Sequence, residues 1–258
     1  MIRPLAVLLW AIFCCTACNN APVPSLETTS RGKTEALLDS STLKISLGVA
    51  NSATKTAQIS LKSIRNNNQI DSILNLHDSS WVDLQVLIPD LMVDIRYAST
   101  NNFMKTKIYD CGECYSRLAV AKAVMKIQEE LKSQEMGLKM FDCYRPRSAQ
   151  YKLWKVVPDP RYVSPPGKGS VHSRGGALDL TIVDDQGAEL NMGTPYDFFG
   201  KEAYWAHIEK QPEEVQKNRK LLLTTMQKYG FKTVSTEWWH YSYRRAWFQL
   251  SDMQWPCD

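Results

Sequence analysis

The 258-residue sequence contains no run of five or six like charges. Its 31 basic and 27 acidic residues leave a net charge of only +4, spread along the chain. Without a basic stripe there is no electrostatic footprint for nucleic acid. The sequence also lacks the run of about twenty apolar residues that a bilayer-spanning helix needs. Histidine is scarce, with four in all, so candidate metal ligands are few. A single Cys-x-x-Cys occurs, Cys111-Gly112-Glu113-Cys114, and one such pair gives little support for a structural zinc. What remains is ordinary globular composition, 44% hydrophobic and 22% charged, enough for one sizeable core.

The N-terminus carries an address. Arg3 supplies a basic start, and Leu5 to Ala17 is a mostly apolar stretch of the length of a secretory h-region. It ends in Cys15-Thr16-Ala17-Cys18, which resembles a bacterial lipobox with Cys18 as the lipidated residue, although Cys15 stands where an aliphatic residue is usual. An ordinary signal cut nearby is the alternative. Three segments follow: 1–17 as a lipoprotein-type signal peptide, 18–80 as the lipidated cysteine and a polar tether, and 81–258 as the catalytic domain. A small pro-segment packing on the domain is the alternative for the tether. The expected location is outside the cytoplasm, anchored to a membrane and facing the periplasm or cell envelope. Disulfides persist there. Cys111, Cys114, Cys143 and Cys257 remain after Cys14, Cys15 and Cys18 are set aside, and four cysteines allow three pairings.

From Trp81 onward the patterning changes. Leu91, Val93, Ile95 and Tyr97 alternate with Met92, Asp94 and Arg96, which predicts a half-buried strand. Leu118, Ala121, Val124, Ile127 and Leu131 recur at helical spacing, framed by Ser116 and Gly137. A strand is predicted over 138–144, a helix from Pro146 to Trp154, a Pro/Gly-rich loop over 158–169 and a strand over 177–183. Pro212 opens another helix, with Glu213 and Glu214 suited to its first turn, and Gly230 closes it. Two final strands follow, 231–235 and 237–243. Strands and helices do not alternate strictly, which favours α+β over a doubly wound sheet.

Two short constellations carry chemistry. In Ser170-Val171-His172-Ser173-Arg174-Gly175-Gly176-Ala177-Leu178-Asp179 a histidine leaves a glycine-rich loop, and an aspartate follows on a strand. Asp179 lies among small and apolar neighbours, where an unpaired carboxylate is costly, so it calls for a cation. In Glu237-Trp238-Trp239-His240-Tyr241 an acid and a histidine stand three apart. An ideal strand sends residues i and i+3 to opposite faces, so a bulge must re-aim one of them. Together His172, Asp179 and His240 form the three-ligand N/O set of a catalytic zinc, with Glu237 left as general base. Of the other histidines, His77 sits in the polar tether and His207 lacks a neighbouring acid at ligand-like spacing. Arg145, in Phe141-Asp142-Cys143-Tyr144-Arg145-Pro146, sits at a strand-to-helix turn, where a fixed guanidinium can stabilise an oxyanion. Arg147 is its nearby competitor.

These residues closely resemble the D-alanyl-D-alanine dipeptidases, relatives of the vancomycin-resistance dipeptidase among the zinc D-Ala-D-Ala peptidases. The likeness runs from about Trp81 to Tyr243. It rests on Asp-Ile-Arg-Tyr at 94–97, Asn-Asn-Phe at 101–103, Tyr-Arg-Pro at 144–146 and Ser-x-His-Ser-Arg-Gly at 170–175. Asp-Leu-Thr at 179–181, Met-Gly-Thr at 192–194 and Glu-Trp-Trp-His at 237–240 complete it. The resemblance implies an α+β, hedgehog-like fold with a central antiparallel sheet flanked by helices. It implies one zinc ion per chain on His172, Asp179 and His240, Glu237 as base and later proton donor, and Arg145 as oxyanion stabiliser. It assigns Asp197 to the substrate ammonium, Ser170 to the cleft near the zinc, and Asp142 to supporting the site, orienting Arg145. The implied substrate is a small D-dipeptide. No nucleic acid or protein partner is implied.

A dipeptide site must also neutralise a carboxylate, for which a backbone N–H nest or Arg174 are candidates. The exported N-terminus departs from the cytoplasmic resistance enzymes and points instead to turnover or scavenging of wall-derived D-Ala-D-Ala. Two competing readings are a D,D- or L,D-carboxypeptidase or endopeptidase on peptidoglycan stem peptides, and a non-catalytic zinc-binding lipoprotein. Asp197 speaks against the first and the intact chemical positions against the second.

Overall fold

The computed structural model describes residues 69–255 and 257. The expected signal peptide, Cys18 and the tether up to residue 68 lie outside the described residues. The last part of the expected tether packs: residues 69–74 are helical, and Ile70, Ile73 and Leu74 lie against the core. The packed unit therefore begins ahead of the Trp81 boundary, because the apolar run near Ile70 is the inner face of a short helix.

β1 (Trp81–Asp83) runs into the single turn α1 (Leu84–Leu87), which Asp83 caps by accepting the Gln85 N–H at 3.0 Å. β2 is only Met92–Val93, and Arg96–Ala98 then forms a 3-10 turn. This corrects the longer strand expected over Leu91 to Tyr97. Leu91, Ile95 and Tyr97 are buried as the alternation requires, but the Tyr97 carbonyl accepts the N–H groups of both Ile108 and Tyr109, which turns the chain out of the sheet.

β3 (Tyr115–Arg117) pairs antiparallel with β1 and feeds directly into α2 (Leu118–Lys132). The helix is the predicted one, but not its frame. Ser116 belongs to β3, and the first helical N–H groups, of Leu118 and Ala119, are satisfied by the carbonyls of Ser80 and Asp78 instead of a side-chain cap. Gly137 lies inside the next strand, β4 (Met136–Asp142). The buried Gln128 ties the two elements: its Oε1 accepts the Leu138 N–H at 2.9 Å, and its Nε2 donates to Asp90.

α3 (Arg147–Val156) starts after Pro146, as its sequence requires. β5 (Ala177–Asp184) is the buried central strand, α4 (Glu213–Lys228) opens after Pro212, and β6 (Phe231–Val234) and β7 (Glu237–Tyr243) close the fold. The main sheet has the order β2-β4-β5-β7-β6, antiparallel except for the parallel edge pair β2–β4. This is the α+β fold with a largely antiparallel central sheet. Leu178, Leu180 and Ile182 of β5 are fully buried on one face of it, the expected core stripe. No helix among the described residues is long and apolar enough to cross a membrane.

All four cysteines among the described residues are cross-linked, Cys111 to Cys257 and Cys114 to Cys143. Cys111 and Cys114 are thus not a redox or metal pair with each other. Cys111, Glu113 and Cys257 lie close enough to suggest a metal cluster, but the disulfide takes both sulfurs.

Candidate metal centre and its cleft

Three adjacent strands set a polar row across the sheet. In the register Asp142 of β4 stands opposite Asp179 of β5, and Asp179 opposite His240 of β7. The β6–β7 register slips so that Thr233 faces Tyr241 while Val234 faces Glu237. That irregularity re-aims β7, so that Glu237 and His240 line the same cavity despite being three apart. His172 comes from outside the sheet, on a 3-10 turn (His172–Arg174) whose end is Gly175 at φ 70°. A side chain there would meet the Trp81 ring, so only glycine suits both the backbone and the space.

His172 Nε2, Asp179 Oδ1 and His240 Nδ1 converge. Their separations are 3.3 Å for His172–Asp179, 3.1 Å for His172–His240 and 2.9 Å for His240–Asp179. Tetrahedral bonds of about 2.0–2.2 Å put donor atoms about 3.3–3.5 Å apart, so the set fits a metal ion with little adjustment. The atoms facing away are also engaged. His172 Nδ1 is 2.8 Å from the Cys143 carbonyl, and His240 Nε2 is 2.9 Å from Ser242 Oγ. The Tyr196 hydroxyl donates to Asp179 Oδ2 at 3.1 Å. Each donor is thus oriented through its second atom, the usual arrangement around a bound metal. Burial lowers the His240 pKa against the pull of Asp179, leaving a neutral ring able to coordinate. Burial raises the Asp179 carboxyl, but His172 and His240 outweigh it and hold it well below the usual range.

Arg145 is buried beside this centre, its Nη2 3.7 Å from Asp179 Oδ2. Its Nε and Nη2 donate to Asp142 Oδ2 at 2.9 and 2.6 Å, and its Nη1 donates to Gln150 Oε1 at 3.0 Å. Asp142 in turn accepts from the Tyr109 hydroxyl and the Cys143 N–H. Three of the five guanidinium N–H donors are engaged, and two remain.

The cavity holds about 120 Å³, and Arg145, Ser170, His172, Asp179, Asp197, Glu237 and His240 all line it. Asp142 does not line it and acts from behind Arg145. Ser170 Oγ accepts the His172 N–H at 3.2 Å. Asp197 accepts from the Tyr97 hydroxyl at 3.0 Å and sits at φ 58°, an uncommon backbone for a residue with a side chain. Burial, reinforced by the Asp179 charge, pushes the Asp197 carboxyl well above its ordinary range. Glu237 is raised in the same way, first by burial and then by Asp179 and Asp197.

Two candidates lie elsewhere. Arg174 donates to the Phe248 carbonyl and stacks on Trp247, outside the cavity, so it is no partner for a bound carboxylate. Arg147 does not line the cavity either. Sequence reasoning missed Tyr196, Gln150 and Arg161. Tyr196 stood next to Asp197, and its hydroxyl reaches Asp179. Arg161 lines the cavity from the Pro/Gly-rich loop, where only its charge marked it.

The D-Ala-D-Ala dipeptidase family of peptidases matches residues 77–256. The D-alanyl-D-alanine dipeptidase of Escherichia coli strain K12 is 37% identical over 165 residues, which cover 64% of this chain and 85% of that protein. The D-alanyl-D-alanine dipeptidase of Enterococcus faecium is 29% identical over 182 residues, 62% of this chain and 90% of its own length. A third protein of that name, from Streptomyces coelicolor, is 27% identical over 187 residues.

Proposed function

Because the chain belongs to the D-Ala-D-Ala dipeptidase family of peptidases, we propose that it hydrolyses D-alanyl-D-alanine to two D-Ala in a zinc-dependent reaction. One observation carries the reading. A His-Asp-His donor set with every outward atom engaged shares a cavity with one buried acid, one buried guanidinium and a second, half-buried acid.

His172, Asp179 and His240 hold the ion, which supplies a Lewis acid able to polarise the scissile carbonyl and acidify water. Glu237 takes the proton of the attacking water and returns it to the departing amine. Burial raises its pKa, which helps it hold the proton between the two transfers. The two free N–H groups of Arg145 stabilise the oxyanion, and Asp142 and Gln150 hold the guanidinium so that it need not reorganise. Asp197 binds the free ammonium of the dipeptide. A cation there relieves the cost of ionising this half-buried carboxyl, whose pKa is raised, and an N-blocked chain offers no such cation. Ser170, buried in the cavity wall, is a further polar contact.

We propose export as the setting, with Cys18 as the lipid anchor. The N-terminal pattern and the two disulfides support it, since such bridges persist outside a reducing cytoplasm. The substrate would then be D-Ala-D-Ala released during peptidoglycan turnover. The test is D-Ala release by the purified protein from D-Ala-D-Ala, from L-Ala-L-Ala and from a stem pentapeptide, before chelation, after it and after zinc is restored. Chelator-sensitive, zinc-restored cleavage of D-Ala-D-Ala alone is expected. Cleavage of the pentapeptide alone would replace this reading with a carboxypeptidase.

A further inference from the structure

Arg219 has no role in the chemistry above, yet it is among the largest fully buried side chains. Sequence places it on α4, where a polar run would normally be solvated. No carboxylate forms an ion pair with it among the described residues. Burial lowers its pKa to about 10, still well above neutrality, so it stays charged. Burying a charge without an acid partner is expensive unless hydrogen bonds offset it.

Those bonds go to one loop. Arg219 Nε donates to the Met192 carbonyl at 2.8 Å, and its Nη2 donates to the Glu202 carbonyl at 3.0 Å. The chain between those two carbonyls is the segment that carries Tyr196 and Asp197. It contains no strand or α-helix, and Asp197 sits in it at φ 58°. A side chain in that conformation persists only when its surroundings enforce it. Other contacts brace the same segment. The Trp238 indole donates to Thr194 at 2.8 Å, and Gln211, between the loop and α4, donates to the Glu202 carbonyl. Gly193, at φ 79°, lets the loop approach α4, where an added Cβ would lie 2.8 Å from Val215.

We infer that Arg219 is a positioning residue: it pins both ends of the 192–202 loop and so sets the place of Asp197 against the substrate ammonium. The inference rests on the proposed role of Asp197. A planar fork can serve two separated carbonyls at once, whereas a lysine ammonium is a single point donor.

A double-mutant cycle on the zinc-loaded full chain tests it, with D-Ala-D-Ala as substrate. Arg219→Met should raise KM by about 10–10²-fold, the scale of a small misplacement, with kcat changed less. In an Asp197→Asn background the same substitution should add less than about threefold, because the group it positions is already gone. Equal fold-changes in both backgrounds, or a fall in kcat that tracks the folded fraction, would mean that Arg219 only satisfies buried carbonyls. Should Arg219→Met not fold, Arg219→Lys enters the same cycle, where a smaller KM effect with the same non-additivity is expected and additivity overturns the inference. A wild-type KM for Asp197→Asn would remove the ammonium anchor itself, a failure distinct from additivity.

Discussion

Removing the Cys114–Cys143 disulfide separates two things that this bridge does. It closes a loop of 29 residues, so the chain-entropy relation gives about 3.6 kcal/mol of stability from the unfolded state alone. It also fixes Cys143, whose carbonyl stands 2.8 Å from His172 Nδ1 and whose N–H donates to Asp142 at 3.1 Å. The backbone of one residue thus orients the proposed metal ligand His172 on one side and Asp142, the support of Arg145, on the other. Loss of such an outer partner typically costs about 10–100-fold in metal affinity. Cys114→Ser/Cys143→Ser should therefore lose about 3–4 kcal/mol in denaturant unfolding with chelator present. In competition with a chromogenic chelator the folded variant should bind zinc at least about tenfold more weakly. The Cys111–Cys257 bridge is the control. It closes a loop of 146 residues, worth about 5 kcal/mol by the same relation, but neither cysteine lines the cavity of the proposed metal site. Its removal should cost more stability and leave zinc affinity nearly unchanged. Equal affinities in wild type and both variants would refute the orienting role of Cys143. An equal fall in both would show general loosening instead.

Glu237→Gln should keep its metal, measured by elemental content, and lose about 10²–10⁴-fold in kcat, the usual weight of a general base; retained turnover would remove Glu237 from the mechanism. Arg145→Ala should cost about 10²–10³-fold in kcat, as for one lost oxyanion donor, and a wild-type rate would send that role to another group. Asp197→Asn should stabilise the metal-free protein at neutral pH, read from urea unfolding across pH. The folded Asp197 pKa is raised by burial, so the native state holds a proton more tightly than the unfolded state; the penalty appears as pH rises above the ordinary aspartate value and vanishes below it, and a pH-independent gain would contradict the cause.

Legibility in the sequence followed the narrowness of the physical demand. A three-ligand metal site accepts few residue types, and His172, Asp179 and His240 stood out because histidine is rare here and a strand aspartate among apolar neighbours needs a cation. The conflict between Glu237 and His240 on an ideal strand even called for the slip that the β6–β7 register shows. Helices with continuous apolar stripes, such as α2, were equally readable, and Pro146 and Pro212 marked the starts of α3 and α4, whereas the ends of α2 were not legible. The start of α2 is satisfied by carbonyls from residues 78 and 80, far away in sequence, so the local Ser116 was a false cap. β2 failed for the same reason, since a partner loop captures the Tyr97 carbonyl and ends the strand.

Arg219 and Tyr196 were invisible because their chemistry is ordinary on a surface and becomes informative only once burial is known. A charged residue within the polar run of α4 reads as solvated, and nothing local says that two loop carbonyls will meet it in the interior. Function therefore divides by range. Groups that touch the reacting atoms are constrained by residue type and can be read one motif at a time. Groups that hold those residues in place are constrained by where distant segments arrive. Arg219 marks the boundary: its identity is explained by the carbonyls of Met192 and Glu202, and its consequence by Asp197 between them.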